Sequence, residues 1–306
     1  MFKNTLDNKR YHTLNYFYRT KFNSKVFKVP LDAHMSCPNK INGNGCIYCS
    51  DHSKANIINS KDSIKEQFIN NINILEKKWP NSLYIPYFQA GTNTFGEITY
   101  LKSIYEELLD YPKVVGLAIA TRPDSLTDEL IDYLGELNKK TFLTIELGLQ
   151  SSNNKTLDFI KRGHNVECFI NAVKKLKEKN IFVVAHIING LPYETEEDMI
   201  ATVKLLNELN IDGIKIHMLY ISKNTELADI YKNDKFHVLE KDEYIDIVIK
   251  QLELLNENIV IERITGDPIK EDLITPSWLL KKFCVLNDID KEMVKRNTYQ
   301  GKNVNN

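Results

Sequence analysis

Three of the chain's five cysteines lie in one short segment, CPNKINGNGCIYC, which runs from residue 37 to residue 49. Cys46 and Cys49 are close enough in sequence for both sulfurs to reach one metal centre. Gly43 and Gly45 permit positive φ angles, which can turn backbone amides inward toward anionic sulfur. Thiols grouped in this way could form a disulfide, hold zinc, bind an iron-sulfur cluster or be clustered by chance.

A disulfide is disfavoured by the compartment that the sequence indicates. Residues 1–10 are polar and do not resemble a secretory leader, and the apolar run 114–120 is too short to span a membrane. We therefore expect a cytoplasmic protein without membrane association, in which clustered thiols stay reduced and act as metal ligands or catalytic groups. Cys168 and Cys284 have no partner at a useful spacing, so we expect them to be ordinary buried thiols.

The number of thiols favours an iron-sulfur cluster over zinc. A structural zinc site requires four ligands, and only His34 or His52 could supply the fourth, so zinc stays open as an alternative. A cubane of four irons and four sulfides can be held by three cysteines, which leaves one iron without a protein ligand. That iron could bind S-adenosylmethionine (SAM) and reduce its sulfonium, which would release a 5′-deoxyadenosyl radical.

The rest of the sequence must build a scaffold that positions this segment. From residue 25 to residue 217, short apolar runs alternate with amphipathic helical segments, a pattern typical of parallel strands covered by helices. We predict an α/β fold, a partial (β/α)6 TIM-like barrel of parallel strands with N- and C-terminal extensions. The predicted strands are 26–29, 83–88, 114–120, 142–148, 182–188 and 213–217, with a further strand starting near 259–263.

The expected domain boundaries follow from this pattern. Residues 1–24 form a basic and aromatic N-terminal extension, residues 25–235 form the barrel, and residues 236–306 form a C-terminal extension that closes it. In that last part, Arg263, Asp267 and Trp278 could help to shape the mouth of the barrel, although Trp278 is also typical of a core residue.

Polar or glycine-bearing segments follow all six predicted strands. Because the working site of a parallel α/β fold lies at the carboxyl ends of its strands, these segments should meet at one rim. They are the cysteine loop, Gln89–Thr94, Thr121–Asp124, Gly148–Ser151, Asn189–Pro192 and His217–Met218. His186 and His217 lie on adjacent strands and could both face this mouth, although a single histidine in a strand is also typical of a core.

Taken together, these motifs resemble the radical SAM enzymes. The chain is similar to the oxygen-independent coproporphyrinogen oxidases, to the radical domain of the catalytic subunit of Elongator and, over nearly its whole length, to a bacterial family of stand-alone enzymes. The motifs that carry the resemblance are Tyr87–Thr94, Ala120–Asp124, Glu146–Gln150, Arg162–His164, Ala185–His186, Gly190–Pro192, Asp212–His217 and Asp290–Lys302.

The resemblance implies a role for each matching position. Cys37, Cys46 and Cys49 would ligate a 4Fe-4S cluster, and Tyr48 would lie against the adenine of SAM. Ala90, Gly91 and Thr92 would receive the methionine amino group, while Gln150 and Arg162 match positions that contact the ribose and the methionine carboxylate. His186 and His217 are the candidate catalytic residues. Ala120 stands where Elongator and the porphyrin enzymes carry a glutamate, and His186 stands where the porphyrin enzymes carry an aspartate; these differences argue against a porphyrin substrate.

The distribution of charged and aromatic residues bears on the substrate. The formal net charge is −1, but residues 1–30 carry seven Lys or Arg against one acid, and residues 291–306 carry four against one. Aromatic residues interleave with the N-terminal basic ones, a pattern that can stack on bases and neutralise phosphates. They are Tyr11, Tyr16, Phe17, Tyr18 and Phe22.

The kinship to Elongator implies tRNA as the partner. A branch of the similar family is associated with conversion of carboxymethylaminomethyl uridine to aminomethyl uridine at the wobble position. The alternatives are radical chemistry on a small molecule such as a tetrapyrrole, or a non-enzymatic zinc-binding module. An electron donor such as flavodoxin or ferredoxin would be a further partner of a radical enzyme.

Overall fold

The computed structural model describes residues 2–43, 45–50 and 62–304, and within them the chain folds around a curled sheet of seven parallel strands. The strands are β1 (Val26–Leu31), β2 (Leu83–Phe88), β3 (Gly116–Thr121), β4 (Phe142–Gln150), β5 (Phe182–Asn189), β6 (Gly213–Met218) and β8 (Val260–Arg263). Neighbours in the sheet follow the order of the chain. The described residues give β1 and β8 no backbone pairing with each other, so the sheet is a half-barrel. The predicted partial TIM-like barrel is confirmed.

α-Helices connect and flank these strands in the described residues. They are α1 (Leu14–Phe22), α2 (Pro38–Ile41), α3 (Ile64–Lys78), α4 (Ile98–Glu106), α5 (Asp128–Lys140), α6 (Asn154–Phe159), α7 (Val166–Glu178), α8 (Glu196–Glu208), α9 (Glu226–Asn233), α10 (Lys241–Leu254) and α11 (Lys282–Lys295). Two 3₁₀ helices span Pro123–Ser125 and Ser277–Lys281, and an antiparallel pair joins β7 (Ile221–Ser222) to β9 (Leu273–Thr275). No helix of the described residues is long and apolar enough to cross a bilayer.

Local sequence explains where these helices begin. The Thr127 hydroxyl accepts a hydrogen bond from the amide of Leu130 at the start of α5, and Leu130, Ile131 and Leu134 then face the sheet. Thr195 and Asp198 form a reciprocal capping box at the start of α8. Such caps satisfy amides that have no partner within the helix.

The N-terminal helix α1 closes the end of the barrel where the strands begin. The Phe17 ring packs against Phe142 and Phe182, the first residues of β4 and β5, with ring centroids 6.0 and 5.0 Å apart. Tyr18 is buried in the same cluster beside Val26. We call this cluster the aromatic floor of the barrel. It keeps water away from the apolar strand starts.

The floor corrects the prediction for the N-terminal aromatic residues. All five of the aromatic side chains that we expected to stack on bases are buried or half-buried: Tyr11, Tyr16, Phe17, Tyr18 and Phe22. The floor that holds Phe17, Tyr18 and Phe22 lies at the end of the barrel opposite the carboxyl ends of the strands. For these three residues base stacking is wrong, because the open end of a half-barrel needs an apolar cover of its own. Tyr11 and Tyr16 lie outside the floor, and stacking by them stays a prediction.

The two remaining cysteines and Trp278 differ in how far they are buried. Cys284 is exposed on α11 and Cys168 is half-buried on α7, so the prediction that both are buried was wrong, most clearly for Cys284. Trp278 packs against the main core, and its indole N–H donates to the Leu239 carbonyl at 3.1 Å. Trp278 therefore belongs to the core, the second of the two expectations for it.

Replacing Phe17 by alanine should remove the centre of the aromatic floor. We expect Phe17→Ala to lower the free energy of unfolding by about 2–4 kcal/mol, because the lost ring leaves a cavity against Phe142 and Phe182. Phe283→Ala is the matched control, since its ring is 70% exposed. Guanidinium unfolding of both variants checks this, and equal small effects would contradict the assigned floor.

Candidate active site

A cavity of about 690 Å³ opens at the carboxyl ends of the strands. Five of the six segments predicted to form the rim contribute lining residues: Cys37, Cys46 and Cys49; Gln89 to Thr92; Thr121 and Arg122; Gly148 and Gln150; His217 and Met218. The sixth does not reach the cavity, because the amide of Asn189 exchanges 2.8 Å hydrogen bonds with Gln251 on α10. The prediction of one shared rim is confirmed for the other five.

The three predicted ligand thiols line this cavity together with donors directed at sulfur. The Asn39 amide donates to Cys46 Sγ at 3.4 Å, and Arg162 Nη1 lies 3.7 Å from the same atom. Burial would raise the pKa of the Cys37 thiol, but hydrogen bonds from the Thr92 hydroxyl and two backbone amides outweigh it and lower that pKa. These donors favour a thiolate at Cys37.

Two glycines hold the polypeptide close to these thiols. Gly91 has a φ of +77°, and a Cβ at this position would lie 2.1 Å from the Met35 carbonyl oxygen. The segment Ala90–Thr92 therefore packs directly against the chain that leads to Cys37. A Cβ on Gly148 would lie 2.5 Å from Arg162 Nη2, so glycine lets that guanidinium enter the site.

Two buried guanidinium groups flank the thiols. Arg162 is 6% exposed and donates from Nη2 to the Gly148 carbonyl at 2.8 Å. Arg122 is 4% exposed, binds Asp124 through two N–H groups and donates to the Arg162 carbonyl. Arg122 Nη1 and Arg162 Nε are buried without a partner among the described residues. Their unused N–H groups can stabilise negative charge in the cavity.

Arg162 is thus an interior cation rather than a solvated residue at the end of a helix. Arg122 was missed as a site residue, although its motif Thr121–Asp124 had been assigned to the rim. The sequence signal was an arginine that follows a buried strand and precedes an aspartate by two positions. Such an arginine can be fixed by its own aspartate and still reach the cavity.

The remaining predicted cofactor-binding residues also border the cavity. Burial, followed by the nearby Cys46, raises the pKa of Tyr48 well above its ordinary value, so its phenol stays protonated. Gln150 has a φ of +78° where the pairing of β4 with β5 is irregular. Such strain costs roughly 1–3 kcal/mol and is concentrated at functional sites. Ala90 and Thr92 are both buried.

The donor set fits an anionic iron-sulfur group better than a single zinc ion. The cavity is lined by three thiols, by donors of hydrogen bonds to sulfur and by two guanidinium groups. In each guanidinium, one nitrogen has no partner among the described residues. His34 is half-exposed with its ring 3.6 Å from Asp32, and His52 lies outside the described residues.

A layer of buried charges separates the cavity from the aromatic floor. Glu146 on β4 accepts from Lys28 at 2.7 Å, from Lys215 at 2.5 Å and from the Tyr87 hydroxyl at 2.6 Å. Glu262 on β8 completes the ionic layer, with Lys28 at 2.5 Å and Lys215 at 3.6 Å. Two lysines and two carboxylates therefore balance each other's charge in the interior.

The partners in this layer shift each other's pKa. Burial would raise the pKa of Glu146, but Lys215 and Lys28 hold it well below the ordinary value. Burial would lower the pKa of Lys28, but Glu146 and Glu262 raise it. Sequence reasoning missed all four residues as a group. Their signal was a charged residue at an inward position of an otherwise apolar strand.

Both predicted histidines reach the cavity above the ionic layer. His186 Nε2 lies 2.8 Å from Glu146 Oε2, and burial lowers the pKa of the imidazole. A carboxylate only accepts hydrogen bonds, so Nε2 carries the proton and Nδ1 of the neutral ring is a free base. The His217 ring stacks on His186 with centroids 5.9 Å apart, and burial lowers its pKa well below the ordinary value.

Removing the carboxylate of Glu146 should unbalance the ionic layer. We expect Glu146→Gln to lower the free energy of unfolding by about 3–5 kcal/mol, because Lys28 and Lys215 lose a buried counter-ion. Glu136→Gln is the control, since Glu136 forms an exposed pair with Lys139 and should change little. Equal effects of the two substitutions in guanidinium unfolding would contradict the assigned layer.

The same carboxylate predicts how stability depends on pH. The folded-state pKa of Glu146 is depressed, so its contribution is fully present above the ordinary value of 4.5 and is lost as the pH falls below it. The stability difference between wild type and Glu146→Gln should therefore be constant near neutral pH and shrink in acid. A difference that grows on acidification would contradict the assigned direction.

Comparison with known proteins agrees with this geometry. Residues 37–206 match the model of the Radical SAM superfamily, and residues 211–295 match the Radical_SAM C-terminal domain. The chain is 42% identical to protein YtqA of Bacillus subtilis (strain 168) over 298 residues, which is 96% of this chain and 92% of that protein.

More distant matches are with Methanocaldococcus infernus. A tRNA uridine(34) acetyltransferase of Methanocaldococcus infernus is 28% identical over 158 residues, 51% of this chain and 29% of that protein. The structure of an archaeal Elp3 from the same organism matches 90% of this chain with a TM-score of 0.68 at 23% identity, and this chain spans 64% of it. The superfamily model covers more than half of the sequence, so the chain belongs to the radical SAM superfamily.

Proposed function

We propose that this chain is a radical SAM enzyme that acts on the side chain at carbon 5 of a tRNA wobble uridine. The proposed conversion takes carboxymethylaminomethyl uridine to aminomethyl uridine. The bond between the nitrogen and the carboxymethyl carbon would be broken by a two-electron oxidation, with SAM as the net oxidant, followed by hydrolysis, and the two carbons would leave as glyoxylate. The observation that carries the tRNA part is the sequence similarity to a tRNA uridine(34) acetyltransferase, a protein that by its name acts on the same nucleotide. The near full-length resemblance to the stand-alone bacterial family supports the particular side chain.

The superfamily implies a 4Fe-4S cluster and SAM, and the residues of the cavity suit both. Cys37, Cys46 and Cys49 would hold the cluster. When bound, the cluster and SAM supply a 5′-deoxyadenosyl radical that removes a hydrogen atom from the substrate. A reductant such as flavodoxin or ferredoxin would deliver the electron that this chemistry requires.

Residues around the thiols would hold the rest of the cofactor. Carbonyl oxygens of Ala90 and Gly91 can accept hydrogen bonds from an ammonium group, and Tyr48 offers a flat apolar face to an adenine. Gln150 can reach a ribose hydroxyl. Arg162 has an unused Nε–H for a carboxylate, while its Nη1 already lies near Cys46.

The substrate side of the cavity would contain the two histidines. A neutral His186 with a free Nδ1 can take a proton from a substrate amine, while Glu146 fixes its orientation. Among the described residues, the floor covers the end where the strands begin, so the mouth at the strand ends is available for entry. A wobble base lies in a single-stranded loop and can be splayed out into such a cavity.

Loss of any ligand thiol should prevent cluster assembly. After anaerobic reconstitution, we expect Cys37→Ala, Cys46→Ala and Cys49→Ala each to lose most of their iron, their sulfide and the broad absorbance near roughly 400 nm. Cys168→Ala is the control, because Cys168 lies on α7 and does not line the cavity. A stoichiometric zinc ion in wild type would instead support the zinc alternative.

The substrate is tested with tRNA from a strain that lacks the gene. Reconstituted protein is incubated anaerobically with dithionite, SAM and this tRNA, and the nucleosides are then analysed by mass. We expect carboxymethylaminomethyl uridine to decrease and aminomethyl uridine to increase by an equal amount, with no change for Cys49→Ala. An unchanged profile would reject the tRNA proposal, and turnover of a tetrapyrrole in a parallel assay would favour that alternative.

A further inference from the structure

We propose that one wall of the cavity is a carboxylate-binding subsite, in which Arg263 and His217 hold the terminal carboxylate of the substrate's carboxymethylaminomethyl group. Lys215 on β6, His217 on β6 and Arg263 on β8 form this wall, which we call the cationic wall. The identity of the ligand rests on the proposed function. The subsite itself rests on the geometry of β6 and β8.

An irregularity in the pairing of these strands directs Arg263 into the cavity. Ile214 pairs with Ile261 but Lys215 pairs with Arg263, so β8 contains one extra residue, Glu262, at this point. Such bulges re-aim side chains and are frequent next to active sites. Glu262 is consequently free to join the ionic layer below, while the next residue, Arg263, also faces the interior and lines the cavity.

Arg263 keeps donors available for a ligand. Its side chain is 42% exposed, and its ion pair with Asp267 at 3.4 Å is the single partner that the described residues give it. Asp267 is shared with Lys282, which already neutralises that carboxylate. A guanidinium with unused N–H groups at a cavity wall is suited to bind a carboxylate through two parallel hydrogen bonds.

The neighbouring residues complete the subsite. His217 stacks on His186 and, among the described residues, is given no hydrogen-bond partner, so an imidazole N–H can donate to the ligand. Lys215 is held by Glu146 and by the Tyr87 hydroxyl at 3.1 Å, which places its charge beneath the wall. An anion at the wall would therefore meet the remaining N–H groups of the Arg263 guanidinium, one neutral donor and one fixed positive charge.

The cysteine loop lines the same cavity as the cationic wall. A side chain anchored by its carboxylate at Arg263 would extend from the wall into the space between the wall and the thiols. The carbon next to the carboxylate would then be presented toward the cofactor end of the cavity. The wall would in this way select a uridine that carries the acidic side chain over one that carries only the amine.

The test compares two anticodon stem-loop RNAs that differ in one group. One carries carboxymethylaminomethyl uridine at the wobble position and the other carries aminomethyl uridine, so their phosphates are identical. Binding to the cluster-loaded enzyme is measured without SAM, so that no turnover occurs. We expect wild type to bind the acidic RNA with the lower Kd. Arg263→Met should reduce the ratio of the two Kd values by roughly ten- to hundredfold, which corresponds to the loss of one hydrogen bond to a charged group.

Matched variants separate the subsite from general electrostatics and from misfolding. Lys223→Met removes one exposed positive charge that does not line the cavity, and it should leave the preference unchanged. Arg263→Lys should keep part of the preference, and His217→Phe should lower it without loss of bound iron. If Arg263→Met weakened the binding of both RNAs equally, Arg263 would contact a phosphate and the inference would be overturned. An unchanged preference would overturn it as well.

Failure of the inference can be distinguished from failure of the proposed function. If wild type converts the acidic RNA and Arg263→Met converts it with unchanged KM, the function stands and the subsite is rejected. If wild type neither converts nor prefers the acidic RNA, both are rejected. A raised KM with nearly unchanged kcat in Arg263→Met supports the subsite, because it indicates loss of substrate binding.

Discussion

The neutralisation of Glu146 by Lys28 and Lys215 is the interaction on which the rest of the interior depends. A half-barrel must change from an apolar floor to a polar cavity within a few residues of each strand. An isolated carboxylate at that depth would be strongly unfavourable, whereas a balanced group of two carboxylates and two lysines is tolerated. Tyr87 and His186 satisfy the carboxylate further.

This ionic layer also joins strands that the backbone leaves apart. Lys28 lies on β1 and Glu262 lies on β8, the two edge strands of the sheet, and their side chains meet at 2.5 Å. This ion pair thus bridges the two edge strands, which have no backbone pairing with each other among the described residues. The layer is also the base of the active site, because it orients His186 above it and fixes the position of Lys215 under the cationic wall.

Much of the scaffold could be predicted from sequence, because its signals are local. Apolar runs fixed six strands within a few residues, and the rule that sites lie at strand ends placed Cys37, Gln150 and His217 around one cavity. Arg162 was also predicted to enter the site, and there it donates to the Gly148 carbonyl at 2.8 Å and lies 3.7 Å from Cys46 Sγ. The roles of these residues toward a cofactor remain predictions.

What could not be predicted depends on partners that are distant in sequence. A lysine within a strand does not reveal that Glu146, 118 residues away, will neutralise it. The N-terminal aromatic residues suggested RNA stacking because they interleave with basic residues. The same sequence pattern is found in an amphipathic helix that covers an apolar core. Arg263 was a candidate for the mouth of the barrel and does line the cavity, but the bulge at Glu262 that directs it inward depends on strand pairing and could not be inferred.

We propose that three thiols hold a cluster in which one iron is available to SAM. Electron paramagnetic resonance of the reduced, reconstituted protein tests it most directly, with and without added SAM. We expect the signal of a reduced 4Fe-4S cluster, with g values that shift when SAM is added. A signal that SAM leaves unchanged, or a protein that binds no iron under these conditions, would contradict it.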